Sequence, residues 1–346
     1  MKIAHVAPVN HRVSAASTYG VALNVANVCN GLVDLGHDVT LFTAGDADVK
    51  ANVVGASIDT HTRGLDIKDD DALPYNYLNL SACYARAHEF DIIHTHYNLI
   101  GTYFEPIVNT PSVHTVHNPL PASFLRVQDH VRKQNFVSLS LAQRRQYPDL
   151  NWVANIYHGI DTKVYTFSDA PQDYLLFLGR IVPEKGVHHA INAAKEAGVP
   201  LIIAGMSKPE DSYWQNEIQP HIDGSQVQYV GPAPLDRKLE LLRGARAMLF
   251  PSVWEEPFGL TMIEAMACGT PVIGFQYGSV PEIIQDGETG FVVSTEKQMA
   301  SAIKKIHKLR REDCRVRAER LFSVEKMCQG YERVYQRIIA KANRKK

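Results

Sequence analysis

The chain has 346 residues, enough for two domains of about 150 residues each, and its 45% apolar and 21% charged content is that of an ordinary globular protein. No apolar run approaches the roughly 18 residues that a membrane-spanning helix needs, and a net charge of −1 gives no reason to expect nucleic acid as a partner. Five cysteines, odd in number, scattered and without C-x-x-C, indicate neither a disulfide framework nor a zinc site and fit a reducing cytoplasm.

Residues 2–8 read as a buried first strand, interrupted at Asn10, His11 and Arg12 too soon for a signal peptide. A polar stretch leads through Tyr19-Gly20 to an amphipathic helix over 21–35, stopped by Gly36. HDVTLFTA (37–44) is the second strand. Strand, loop, helix, strand is the opening of a doubly wound domain. No G-x-G-x-x-G follows the first strand, so the dinucleotide fingerprint of a nicotinamide dehydrogenase is absent. Gly20 either starts the helix or lets backbone approach a ligand.

Residues 64–76 read as a charged loop. Its Asp69-Asp70-Asp71 run holds a D-x-D spacing but follows no strand and reads as solvated. A helix over 77–89 precedes strands at 91–96 and 112–117. His94 and His96 alternate along a strand and share a face. His117 ends a strand, at the edge where open α/β sheets bind ligands. A metal centre would need a third ligand and a carboxylate partner that the sequence does not identify, so none is read. The plain alternative for His117 is a buried, hydrogen-bonded strand-end histidine.

Residues 120–146 look helical with a strand near 136–139. Residues 152–157 form a strand that enters the turn His158-Gly159-Ile160-Asp161, where Gly159 permits positive φ. The polar, proline-bearing stretch 166–173 places the linker, so the expected domains are 1–168, 169–325 and a terminal helix, 326–346. The second domain again alternates strand and helix: strand 174–178, Gly179-Arg180, Pro183-Glu184-Lys185-Gly186 and a helix over 187–197. Strands at 200–204 and 228–230 follow, with Gly205 and Gly231 at their ends, then a helix over 235–243 and a strand at 248–251. Met262 and Met266, four residues apart, read as core.

The most informative stretch is WEEPFGLTMIEAMACGTPVIGFQYGSVPEIIQDGETG, residues 254–290. Glu256 and Glu264 lie eight positions apart. Pro257 suits the first turn of a helix, which puts Glu256 at its mouth and Glu264 in its second turn, about 10 Å away along the axis. Between them, around Phe258, Gly259, Leu260 and Thr261, lie free amides at the positive end of the helix dipole. That layout suits a ligand with hydroxyls at both ends and an anion between, as in a nucleotide sugar.

These motifs carry a resemblance. E-x7-E, A-x-A-x-G-x-P-V-I, G-x-x-x-E-I-I, D-G and T-G-F, with G-R-x-x-x-E-K-G upstream, resemble the retaining GT-B glycosyltransferases of family 4. The resemblance implies an α/β GT-B fold: two doubly wound Rossmann-like domains facing across a cleft, closing about a hinge near 166–173, with the last helix crossing back to the first domain. It implies a hexosyltransferase that moves a hexose from a UDP- or GDP-sugar to a sugar, lipid-linked or small-molecule acceptor with retention, using no cofactor and no metal. Arg180 and Lys185, at a strand end and helix start, would cradle the diphosphate. Glu256 would hold a sugar hydroxyl and Glu264 the ribose hydroxyls. Gly179 and Gly205 would line the donor site, and His117 matches the family's T-x-H histidine beside the sugar. Two departures stand out: only Gly20 remains of a usual Gly-Gly pair, and His158 replaces the usual Asn. Two other readings are a non-catalytic nucleotide-sugar-binding module and a GT-B nucleotide-sugar epimerase.

The charge is unevenly spread. Residues 301–346 hold 15 Lys/Arg against 5 Asp/Glu, a net of +10, leaving −11 elsewhere. A solvated helical face is the plain reading; weak peripheral contact with an anionic membrane face is the sharper one.

Overall fold

A computed structural model describes residues 1–55, 72–97, 99–120 and 126–344. The Asp69-Asp70-Asp71 run lies outside the described residues. The chain divides into two units: Met1–Gly159 with Val324–Lys346, and Ile160–Ser323.

The first unit is built on β1 (Lys2–Val6), α1 (Gly20–Asp34), β2 (Asp38–Thr43), β3 (Asn52–Gly55), α2 (Ala72–Ala85), β4 (Ile92–Thr95), β5 (Ser112–Thr115), α3 (Gln128–Val131), β6 (Phe136–Ser138), α4 (Leu141–Gln146) and β7 (Trp152–Asn155). Its seven strands pair in the order β3-β2-β1-β4-β5-β6-β7, all parallel. Parallel strands covered on both faces are mostly apolar: in β1 Ile3, Ala4 and Val6 are fully buried, and His5 is buried among them as the polar exception. The strand order reverses between β1 and β4, where a doubly wound sheet opens a crevice at the strands' carboxyl ends.

The second unit runs β8 (Leu175–Leu178), α5 (Val187–Ala197), β9 (Leu201–Ala204), β10 (Val227–Tyr229), α6 (Leu235–Gly244), β11 (Ala247–Phe250), α7 (Leu260–Ala267), β12 (Val272–Phe275), α8 (Val280–Ile283), β13 (Gly290–Val293), α9 (Glu296–Lys305) and α10 (Arg311–Phe322). Its six strands pair in the order β10-β9-β8-β11-β12-β13, again all parallel. Here the order reverses between β8 and β11. Leu175, Phe177, Leu249, Ile273 and Ile303 fill one face of this core.

The last helix, α11 (Val324–Asn343), packs in the first unit, where Met327, Cys328, Tyr331 and Tyr335 join the core beside α1. Asn24 on α1 donates to Met327 Sδ at 3.2 Å and Asn27 donates to Gly159 O at 3.1 Å. All five cysteines are free and buried. No described helix is long and apolar enough to cross a membrane.

Some local expectations are corrected. Residues 72–76, expected as loop, open α2, with Pro74 in its first turn where a missing N–H costs nothing. α7 begins at Leu260, so Pro257 precedes the helix and does not start it. Gly159 is not among the glycines at positive φ; its N–H meets Met327 Sδ instead. Residues 160–168, expected in the first domain, belong to the second unit. There Ile160 N–H bonds Phe322 O, and Ser168 N–H bonds Cys268 O.

Candidate active site

In the second unit, the reversal point brings two loops together. After β8 come Gly179-Arg180 and a 3₁₀ turn, Pro183–Lys185. The turn closes on Gly186 at φ +67, where a Cβ would lie 2.2 Å from Pro251 O, so only glycine fits. After β11 comes Pro251 to Glu256. Lys185 Nζ thereby sits 5.2 Å from the Trp254 ring centroid and makes a short ion pair with Glu256. Trp254 Nε1 donates to the same carboxylate oxygen, Oε2, at 2.7 Å. Oε1 of Glu256 has no partner among the described residues.

Glu264 stands in the second turn of α7, as the spacing predicts, and is 2% exposed. Gly259 caps that helix at φ +89, with its Cβ position only 2.6 Å from Met262 Cε. Tyr165 OH donates to Glu264 Oε1 at 2.6 Å, and Lys238 Nζ donates to the same oxygen at 2.8 Å. Burial, then the adjacent carboxylate, raises the Tyr165 hydroxyl far above its ordinary range. Oε2 of Glu264 again has no partner among the described residues. Both carboxylates are therefore built alike. A lysine and an aromatic N–H or O–H hold one oxygen, and the other is left as an acceptor.

The other expected residues fall as follows. Arg180 is exposed, with no hydrogen bond or ion pair among the described residues. Gly179 and Gly205 pack backbone to backbone: a Cβ on Gly205 would meet Gly179 O at 1.8 Å. Phe258 is buried against Phe322, and its carbonyl accepts from Ser279 Oγ. Leu260 and Thr261 form the start of α7, whose first amides have no intrahelical partner. Gly20 is the first residue of α1 and does not use positive φ.

In the first unit, His117 follows β5 and is nearly buried. Its Nε2 lies 2.9 Å from His96 Nδ1, and the His158 ring stacks on it at 5.4 Å. His94 spends both nitrogens on hydroxyls, 2.7 Å each to Tyr335 OH and Thr115 Oγ1. His114 meets Thr95 Oγ1 and Glu105 Oε2. His5, His94 and His96 bring ligand atoms within 4.8 Å of one another. The nitrogens of His94 and His96 are nonetheless committed to hydroxyls and imidazoles. Burial lowers His5 and His117 to about 3, and His94, His96 and His158 well below the usual imidazole range.

Sequence reasoning missed Tyr165, Trp254 and Lys238 as carboxylate partners, His96 and His158 as neighbours of His117, and His5 as a neighbour of His96. It also missed Gly278, whose Cβ position would lie 2.4 Å from Glu256 N and O.

Two family models divide the chain. "Glycosyltransferase Family 4" matches residues 19–179 and "Glycosyl transferases group 1" matches residues 164–320. The chain belongs to the group 1 glycosyltransferases. This glycosyltransferase is 26% identical over 333 residues to the D-inositol 3-phosphate glycosyltransferase of Acidothermus cellulolyticus, spanning 79% of this chain and 74% of the relative. Its fold is GT-B. Sucrose-phosphate synthase of Thermosynechococcus elongatus superposes with a TM-score of 0.79 at 21% identity, over 99% of this chain and 100% of that one. The Anabaena protein HepE, solved with UDP-glucose, superposes with a TM-score of 0.71 at 19% identity, over 98% and 100%. At such identities the solved structures establish the fold of this glycosyltransferase alone.

Proposed function

We propose that this glycosyltransferase takes a hexose from a nucleotide-diphosphate sugar, UDP- or GDP-linked, and transfers it with retention to a sugar, lipid-linked or small-molecule acceptor without a metal. The observation that carries the reading is the pair of clamped carboxylates, Glu256 and Glu264, each with one oxygen held and one left to accept a ligand hydroxyl. Glu264 Oε2 would accept from ribose and Glu256 Oε1 from the hexose. Between them the start of α7 supplies amides for an anion. Arg180 and Lys185 supply the positive charge that a leaving diphosphate needs as it develops in the transition state. They take the electrostatic part that a metal ion plays in other designs. The HepE complex with UDP-glucose supports this donor class, and the inositol-phosphate relative supports a small acceptor.

Neither carboxylate is assigned as a covalent nucleophile. Each is fastened by a lysine and an aromatic donor, which suits holding a hydroxyl in place. The acceptor attacks on the face that the diphosphate leaves, and a donor phosphate oxygen takes its proton. His117 then orients the sugar.

Lys185→Ala and Arg180→Ala are each expected to lower transfer by about 10² or more, the usual cost of removing a preorganised donor. Single-turnover rates with the preferred donor measure this. Unchanged rates in both variants would remove the phosphate cradle.

A further inference from the structure

Helix α10 is mostly polar and buries a narrow stripe, Cys314, Ala318 and Phe322, with Arg311 buried at its start. It packs along α7. The last carbonyls of an α-helix have no partner within it, and an arginine near that end can supply one. Three arginines of α10 do so for three other helices. Arg311 donates to Arg243 O and Ala245 O at the end of α6, 2.8 Å each. Arg317 donates to Glu282 O and Ile283 O at the end of α8, at 2.8 and 2.7 Å. Arg315 donates from Nη1 to Ala267 O, the end of α7, at 2.8 Å.

Arg315 differs in its second bond. The same nitrogen carries two hydrogens, and it also donates to the backbone carbonyl of Tyr165. Its Nε donates to Glu319 Oε1 at 2.6 Å, one turn further along α10, which sets the plane of the guanidinium. Tyr165 lies outside any helix or strand. Arg243 and Arg311 hold the neighbouring Thr166 and Ser168, but among the described residues only Arg315 bonds the Tyr165 backbone. The Tyr165 phenol reaches Glu264, which stands on α7 three residues before Ala267. One nitrogen therefore ties the backbone that carries the phenol to the helix that carries the carboxylate.

That tie bears on which oxygen Glu264 offers. The last torsion of a glutamate side chain is broad and roughly two-fold, so α7 alone does not choose between the two oxygens. Their partners do. Tyr165 OH and Lys238 Nζ meet on Oε1, and Lys238 also donates to the phenol oxygen at 3.2 Å. We propose that Arg315 is a positioning residue for Glu264: by fixing the Tyr165 backbone against the end of α7, it keeps the phenol on Oε1 and leaves Oε2 as the oxygen presented to a ligand. The consequence for binding rests on the proposed function, in which Oε2 accepts from a ribose hydroxyl.

The test compares Arg315→Met, Tyr165→Phe, the double variant and Arg317→Met in the full chain. Arg317→Met removes the same kind of helix-end bond away from Glu264 and controls for a purely structural role. Two quantities are read: affinity for UDP and GDP by calorimetry, and the signal of the Tyr165 Cζ in protein with ¹³C-labelled tyrosine, assigned by its loss in Tyr165→Phe. Arg315→Met should shift that signal and weaken the nucleotide about tenfold, the effect of one lost hydrogen bond to a charged group. Tyr165→Phe should weaken it comparably, and the double variant no further, because the arginine acts through the phenol. Arg317→Met should lower the urea midpoint and leave both quantities in place. An unmoved Tyr165 signal in Arg315→Met, or a double variant whose losses multiply, would overturn the positioning role. If Arg315→Met does not fold, Arg315→Lys, which keeps the charge and loses the fork, should shift the signal in its place, and no shift would overturn the role. A wild type that binds neither nucleotide but shows the expected shifts would defeat the functional reading alone. Normal binding with an unmoved signal would defeat the positioning role alone.

Discussion

Glu264 is a carboxylate that is nearly closed off yet keeps one oxygen without a partner among the described residues. Tyr165 and Lys238 converge on one oxygen, and the second is left over. Their side chains are 13% exposed for Lys238 and 3% for Glu264, so water screens this pair poorly. Removing one member should leave an uncompensated charge. Lys238→Met is expected to cost about 3 kcal/mol, as breaking a buried pair does, read from the urea midpoint. A loss below about 1 kcal/mol would mean that the pair behaves as a surface one. Of this arrangement the sequence showed only the carboxylates, through E-x7-E. Tyr165 lies 99 residues from Glu264 and Lys238 lies 26 away. No spacing rule links residues at such distances; only the tertiary fold does.

The buried histidines set a second residue-scale expectation. Unfolded histidines take up protons below about pH 6.5. Folded, His5 and His117 do so only near about 3, and His94, His96 and His158 also stay neutral below the usual range. Between those limits the unfolded state binds more protons, so stability rises with pH. It is complete above about 6.5 and is lost as pH falls toward about 3. Each fully titrating histidine contributes about 1.4 kcal/mol per pH unit in that window. The urea midpoint should drop clearly between pH 7.5 and 5.0, before most carboxylates titrate. A flat profile there would mean that these rings charge freely in the folded protein.

At the scale of elements, the turn carrying Lys185 depends on one glycine. Gly186 and Gly198 adopt nearly the same left-handed backbone, φ +67 and +70. A Cβ on Gly198 meets nothing within 4 Å, whereas one on Gly186 meets Pro251 O. Gly198→Ala should therefore cost only the conformational strain, about 1 kcal/mol. Gly186→Ala should cost several-fold more and also slow transfer, because Lys185 is displaced with the loop. Equal losses in thermal unfolding would show that the β8 loop yields to the added methyl. Most elements were legible because strand–helix alternation and terminal glycines mark them. The strand β3 was missed: it has four residues and none of them is buried, so no apolar run announces it. The start of α7 was misplaced because Pro257 suits a first turn, yet Gly259 supplies the cap.

For the whole molecule, strand–helix alternation was enough to predict two doubly wound units, but local pattern does not state strand order. The pairing of β8 with β11 is what brings the Lys185 turn to Trp254 and Glu256. Likewise, pairing β1 with β4 sets His5 beside His94 in register, with His96 just beyond. The placement of Glu256 and Glu264 on either side of the start of α7 was readable because these residues lie close in sequence. The contact of His5 with His96 was not, because it joins β1 to a residue 91 positions away.

The most direct measurement is nucleotide release from a panel of UDP-, GDP- and ADP-sugars, with and without EDTA, alongside Glu256→Gln and Lys185→Ala. The proposed function predicts release from a UDP- or GDP-sugar, unaffected by EDTA and reduced about 10² or more in both variants. Failure to bind or turn over any of these donors, or release that EDTA abolishes, would contradict it.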